Sequence, residues 1–194
     1  MAGAAQAQGL GALVVFAGEV HAARAVRKVA SISPAAFGSP ATGPLGTVAE
    51  GRLRLSARPR RPAAALPVPD ALHARVPVVP TYLGDDGAGL RAALRDGADA
   101  IVFVALGAGH VAPPVLAALR ETAAALPVAL TLRPAHGVLL HATYGFEGAE
   151  GDLRSSGALP AAALSPQAAR MVLLAALGAR AGRAALANAL DVPV

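Results

Sequence analysis

Cysteine and tryptophan are absent from this 194-residue chain, lysine occurs once, and four phenylalanines and two tyrosines are its whole aromatic complement. Without cysteine there is no disulfide framework and no thiolate metal site. With so few aromatics the core has to be aliphatic, packed from Leu, Val and Ala, and single-stranded nucleic acid finds few platforms for base stacking. No Lys or Arg precedes Arg24, so the N-terminal stretch lacks the basic region of a secretory signal. The apolar run Ala100–Gly109 falls well short of the ~20 residues that a membrane-crossing helix needs. These absences lead to the expectation of a soluble, cytoplasmic protein with no membrane partner. Charged residues make up only 15% of the chain, which argues against disorder and suggests apolar surface that meets a partner.

What the chain has instead is arginine. Of 17 basic residues one is Lys28 and the rest are arginine, and the formal net charge is +5. A basic balance invites a nucleic-acid reading, but its distribution argues otherwise. Arg52, Arg54, Arg58, Arg60 and Arg61 crowd into one stretch with no interleaved aromatic, and the others are dispersed. The stretch reads as a solvated hairpin edge and linker, and no nucleic-acid partner is expected. Lys28 is the more informative cation. Where arginine serves almost everywhere, a retained lysine marks a place that uses an amine, which can lose its proton when desolvated, whereas a guanidinium stays charged. The bland alternative is a single lysine that escaped a compositional bias.

The order of elements predicts an α/β fold, a small parallel sheet flanked by helices. Gly11–Ala17 is a continuous apolar run of strand length, as expected of a buried strand in a parallel sheet. Thr47–Leu55 alternates around Glu50-Gly51, a hairpin signal. Beyond an arginine- and proline-rich linker, Val76–Tyr82, Ala100–Leu106 and Val128–Leu132 read as strands. Helices are predicted after Asp85-Asp86-Gly87, from Pro113-Pro114, and from Ser165-Pro166 to about Gly178, because a short polar residue or proline marks each start. The predicted organisation is residues 1–55 as the end of one domain, 56–75 as linker and 76–194 as a second, α/β domain.

Few motifs carry chemistry on their own. Gly107-x-Gly109 follows a strand and precedes a helix, but it lacks the third glycine and the acidic ribose partner of a dinucleotide site; it is more credible as the ligand-facing edge of an α/β sheet. His21, His73, His110, His136 and His141 show no metal-ligand spacing, so no metal and no other cofactor is expected. No G-x-S-x-G elbow occurs. Thr143–Glu150 has the composition of a surface loop ending in a carboxylate.

Several segments together resemble the bacterial-type L-asparaginase/glutaminase family. They are Leu13-Val-Val-Phe16, His21-Ala-Ala-Arg24, the segment ending at Lys28, Phe37-Gly-Ser-Pro40 and Gly43-Pro-Leu-Gly46, then Gly107-Ala-Gly109, Pro113-Pro114 and Leu164-Ser-Pro-Gln-Ala-Ala-Arg170, in the family's order. The resemblance implies an amidohydrolase that converts L-asparagine to L-aspartate and ammonia. In that family a threonine attacks the side-chain amide, and a second threonine, an aspartate and a lysine assist proton transfer. Lys28 stands at the place of that lysine. Glu150 stands at the place of the carboxylate, and His110 at the place of the usual asparagine, that one subunit contributes to the substrate's amino end in its neighbour. The resemblance thus implies a C-terminal asparaginase-like domain preceded by a remnant of a larger N-terminal α/β domain, in a homo-oligomer or beside a complementing N-terminal domain.

The departures are specific. No Thr-Gly-Gly-Thr and no Gly-Thr-Asp occurs, Ala17-Gly18 replaces an Asn-Asp pair, and Arg27 and Val29 flank Lys28 where hydroxyl residues are usual. The expectation is therefore a truncated relative, inactive alone toward an L-asparagine-like small molecule. The alternative is a non-catalytic α/β binding or assembly module derived from the family.

Overall fold

Ala17 and Gly18 both adopt positive φ, 48° and 81°, and so do Glu50 and Gly51, at 51° and 73°, in the computed structural model of the chain. The structure describes residues 5–59 and 65–191. Two successive left-handed residues make the two-residue hairpin turn whose twist matches that of the flanking strands. The first turn joins β1 (Leu13–Phe16) to β2 (Glu19–Ala22) in antiparallel register, with Leu13 opposite Ala22 and Phe16 opposite Glu19. After the short ribbon of β3 (Arg27–Lys28) and β4 (Phe37–Gly38), the second turn joins β5 (Gly46–Ala49) to β6 (Arg52–Leu55). The sheet order is β1-β2-β5-β6, antiparallel throughout.

The hairpin expected around Glu50-Gly51 is present, with Arg52 and Arg54 on its exposed face. The buried parallel strand expected at Gly11–Ala17 is not. Its apolar run turns back on itself at Ala17-Gly18 and leaves Val15 44% exposed at the sheet edge. Apolar length reported strand correctly, but not its partner, because the turn residues decide the pairing and alanine rarely adopts positive φ. Arg60 and Arg61 lie outside the described residues, as do residues 62–64 of the expected linker.

The described residues fall into two compact units, one within Met1–Arg61 and one within Pro62–Pro193. The second is the predicted α/β fold. Its sheet runs β10-β9-β8-β7, every neighbour parallel: β7 (Val78–Pro80), β8 (Ile101–Ala105), β9 (Val128–Leu132) and β10 (Leu159–Pro160). Strands β8 and β9 are buried on both faces, which is why they read as unbroken apolar runs. One face is covered by α1 (Ala88–Arg95), α2 (Pro113–Ala125) and α3 (Glu150–Ser155), through Leu90, Leu116, Leu119 and Leu153 against Ile101, Phe103 and Leu130. The other is covered by α4 (Pro166–Gly178) and α5 (Arg183–Leu190), through Leu173, Leu174, Leu186 and Leu190 against Val102 and Ala129.

Local chemistry starts the helices much as expected. Ser165 Oγ accepts from the Ala168 amide at 3.1 Å and Pro166 takes the first helical position. At α1 the cap residue is Gly87 rather than an aspartate. Asp85 and Asp86 instead accept from the Gly87 and Ala88 amides, each at 2.9 Å, and form the turn that precedes the helix. Arg170 Nε donates to the Val76 carbonyl at 2.8 Å and ties α4 to the chain entering β7. Among the described residues no helix is long and apolar enough to cross a membrane.

Candidate functional site

Strands β8 and β9 are adjacent and parallel, so the loops leaving their C-terminal ends emerge at the same edge of the sheet. In open α/β sheets ligands bind beyond those ends. The β8 loop carries His110. It is a tight turn in which the Leu106 and His110 backbones bond to each other at 3.1 and 2.9 Å. Gly107 and Gly109 at φ 51° and 110° make that turn possible. The β9 loop spans residues 133–149 without helix or strand and ends at Glu150, the first residue of α3.

The two loops are joined at their backbones. The Val111 amide donates to the Gly148 carbonyl at 2.9 Å and the Leu140 amide to the Ala108 carbonyl at 3.2 Å. From α3, Asp152 Oδ2 accepts from the Gly148 amide at 2.9 Å while its Oδ1 takes Arg120 Nη2 at 2.9 Å. Arg154 reaches back to the Leu140 and Leu139 carbonyls at 2.9 and 3.2 Å, with its Nη2 also 2.9 Å from His141 Nε2. These bonds fix a loop that has no secondary structure of its own.

They bring His110 and Glu150 together. Glu150, expected at the end of a surface loop, has a completely buried side chain. This corrects the composition-based expectation: two backbone amides replace water around one of its oxygens. Glu150 Oε1 accepts from the Thr143 and Tyr144 amides at 2.5 and 2.9 Å. The Tyr144 amide is the foremost cause holding the carboxyl below its usual range. Burial pushes the other way, and Glu150's own amide, the Thr143 amide and the neighbouring His110 charge add to the lowering. Glu150 Oε2 faces His110 Nε2 at 3.6 Å, ion-pair distance but longer than a hydrogen bond. Neither atom has a hydrogen-bond partner among the described residues, and both are shut from solvent. Around His110 stand Tyr144, edge-on at 4.8 Å between ring centroids, and Phe146, tilted at 5.3 Å. Sequence reasoning did not single out these two rings; a pair of aromatics in a chain so poor in them was the available signal.

Lys28 belongs to the first unit, whereas His110 and Glu150 belong to the second. It is exposed at the end of β3, its Nζ 5.7 Å from the centroid of Phe37, and its side chain makes no hydrogen bond or ion pair among the described residues. In the same unit His21 is buried, with Nδ1 3.0 Å from Ser39 Oγ and Nε2 3.3 Å from Glu19 Oε2. That serine–histidine–carboxylate series has the members of a hydrolytic triad, but Ser39 is itself buried, so the series reads as an internal tie rather than a nucleophile. Among the described residues no three His, Asp or Glu gather to hold a metal ion.

Comparison with known proteins bears on both units. Residues 75–190 match the family described as Glutaminase/Asparaginase C-terminal domain, and residues 1–61 match Asparaginase, N-terminal. A probable L-asparaginase of Deinococcus radiodurans is 37% identical over 182 residues, 92% of this chain and 54% of that protein. An L-asparaginase of Bacillus licheniformis is 28% identical over 170 residues, 86% of this chain and 51% of that protein. The chain spans about half the length of the curated relatives it matches.

Proposed function

The chain belongs to the glutaminase/asparaginase family, and from that premise we propose that it supplies the amino-end half of an amidohydrolase site for an L-asparagine-like substrate. The observation that carries this reading is the buried Glu150 carboxylate, clamped at one oxygen and unpartnered at the other, facing His110 beyond the C-terminal ends of β8 and β9. An anion kept ionised by backbone amides at a ligand-facing edge suits the ammonium of an amino-acid substrate. In a homo-oligomer this half-site serves a neighbouring copy, as the family resemblance implies.

The chemistry then divides between polypeptide segments. A threonine hydroxyl attacks the side-chain amide carbon, ammonia leaves, and water hydrolyses the resulting ester to aspartate and the free hydroxyl. These 194 residues contain no Thr-Gly-Gly-Thr or Gly-Thr-Asp segment to supply that hydroxyl. Lys28 is the proposed proton-transfer amine, active only when a carboxylate and hydroxyls are brought beside it. Alone, the chain releases no ammonia from L-asparagine. A polypeptide carrying the threonine loop restores release, and Lys28→Ala abolishes it again. Turnover by the 194 residues alone would overturn this division of roles. The protein is proposed to act in the cytoplasm.

A second reading, a non-catalytic binding or assembly module, draws on Lys28 itself. An exposed amine resting on Phe37, without an ion pair among the described residues, is not the desolvated lysine of a working proton relay. Glu150-dependent ligand binding with no hydrolysis under complementation would favour it.

A further inference from the structure

Two of the chain's six aromatic residues, Tyr144 and Phe146, sit two positions apart in the β9 loop at 48% and 52% exposure, while the core beneath them is aliphatic. Rings left half in water gain little for the fold. These are not scattered, either. Tyr144, Phe146 and His110 close a triangle with centroid separations of 4.8, 5.3 and 5.9 Å. Its imidazole corner faces the one free oxygen of a buried carboxylate. Through its own amide, the residue carrying the tyrosyl ring also holds that carboxylate in place.

This combination selects among cations. A sodium or divalent ion needs several oxygen ligands, and here one carboxylate oxygen is free beside the His110, Tyr144 and Phe146 rings. A guanidinium pairs best with both oxygens of a carboxylate, and Oε1 is already taken by two amides. A primary or secondary ammonium has N–H groups to donate to Oε2, and its carbon substituents are drawn to π faces. We infer that Tyr144 and Phe146 are specificity-determining residues, making the His110–Glu150 site select an organic ammonium whose apolar substituents lie against the two rings. The inference rests on the proposed amidohydrolase reading only for the place of that ammonium within a substrate.

The test is a titration of the purified chain with methylammonium chloride, followed by the NMR signals of the tyrosine, phenylalanine and histidine rings. Sodium chloride at equal ionic strength and ammonium chloride are the comparisons. The expected result is a saturable shift at Tyr144, Phe146 and His110 with methylammonium. No shift is expected with sodium, and methylammonium is expected to bind at least as tightly as ammonium although it has one N–H fewer. Tyr144→Leu and Phe146→Leu keep apolar bulk and remove the π face. Each is expected to weaken binding about two- to fivefold, and the pair about tenfold. Glu150→Gln is expected to abolish binding. Unchanged Phe103 ring signals certify that each variant is folded.

Absence of a saturable shift, or a double variant that binds like the parent, overturns the inference. So does a double variant that alters only self-association, since the rings would then be a protein contact. Methylammonium binding without amide hydrolysis under complementation leaves the inference standing and removes the amidohydrolase reading. Hydrolysis that is indifferent to both rings does the reverse.

Discussion

Gly148 is where the two loops of the site touch, and alanine there should separate them. A Cβ built at Gly148 lies 2.2 Å from the Val111 carbonyl oxygen and 3.2 Å from its carbon, both backbone atoms that cannot swing aside. The glycine also sits at φ 88°, where an alanine costs about 1–2 kcal/mol. Relieving the clash means moving Val111 by about 1 Å, on the order of an ordinary contact less the present distance. That breaks the 2.9 Å bond from the Val111 amide to the Gly148 carbonyl. Val111 is buried, so its orphaned amide adds about 1–3 kcal/mol. Together these predict a loss of about 2–5 kcal/mol.

Urea unfolding followed by circular dichroism at 222 nm reads this loss directly, since every α-helix among the described residues lies in the second unit. With a urea slope of about 2 kcal/mol per molar, the midpoint should fall by about 1–2.5 M. Gly145 is the internal control, in the same loop with nothing within 4 Å of its Cβ. Gly145→Ala should stay within about 0.5 kcal/mol of the parent. A Gly148→Ala chain that loses less than about 0.5 kcal/mol, or two variants that behave alike, would refute the claim that this contact joins the loops.

The pH dependence of stability should carry a Glu150 signature. Its folded carboxyl is held below the usual range, so the stability it contributes is complete above the unfolded value of about 4.3 and is lost as pH falls through the lower, folded value. The stability difference between the parent and Glu150→Gln should therefore shrink as pH drops from about 5 toward 3, and a flat difference in acid melts would refute the direction. Phe103, wholly buried in β8, should cost about 3–5 kcal/mol as alanine, read from the same urea transition; a loss under about 1 kcal/mol would mean that the sheet is not packed as described.

The second unit was largely legible because its signals are local. Val128–Leu132 runs as one buried strand, and the proline pair at Pro113 and the Ser165-Pro166 cap mark the helix starts where the sequence has them. Strand β10 was not legible: two residues set among alanines and prolines have no period to detect. In the first unit the same turn device appears twice, but only Glu50-Gly51 was readable, because Ala17 is an improbable occupant of a left-handed turn position. Glu150 was singled out only through the family resemblance, and its burial was not readable at all. Carboxylates are almost never fully buried without a partner, and the partners here are backbone amides that composition cannot reveal. Tyr144 and Phe146 went unread for a related reason, since only the fold shows that their loop folds back over His110.

Asp152, two residues after Glu150, shows how a carboxylate looks here when its role is structural. Both of its oxygens are occupied, one by the Arg120 guanidinium and the other by the Gly148 amide, and it faces solvent in part. Glu150 is more deeply buried and less completely satisfied. Its Oε1 is held by two amides, while its Oε2 is shut from water and bonded to nothing among the described residues. A buried acceptor left without a hydrogen bond costs a fold free energy, whatever the other oxygen gains. The clamp outweighs the cost of burial at Oε1, since the carboxyl is held below its usual range, but it does nothing for Oε2. A carboxylate kept ionised, with one oxygen unbonded 3.6 Å from His110 beneath a ring cluster, is the acceptor that the proposed ammonium would complete.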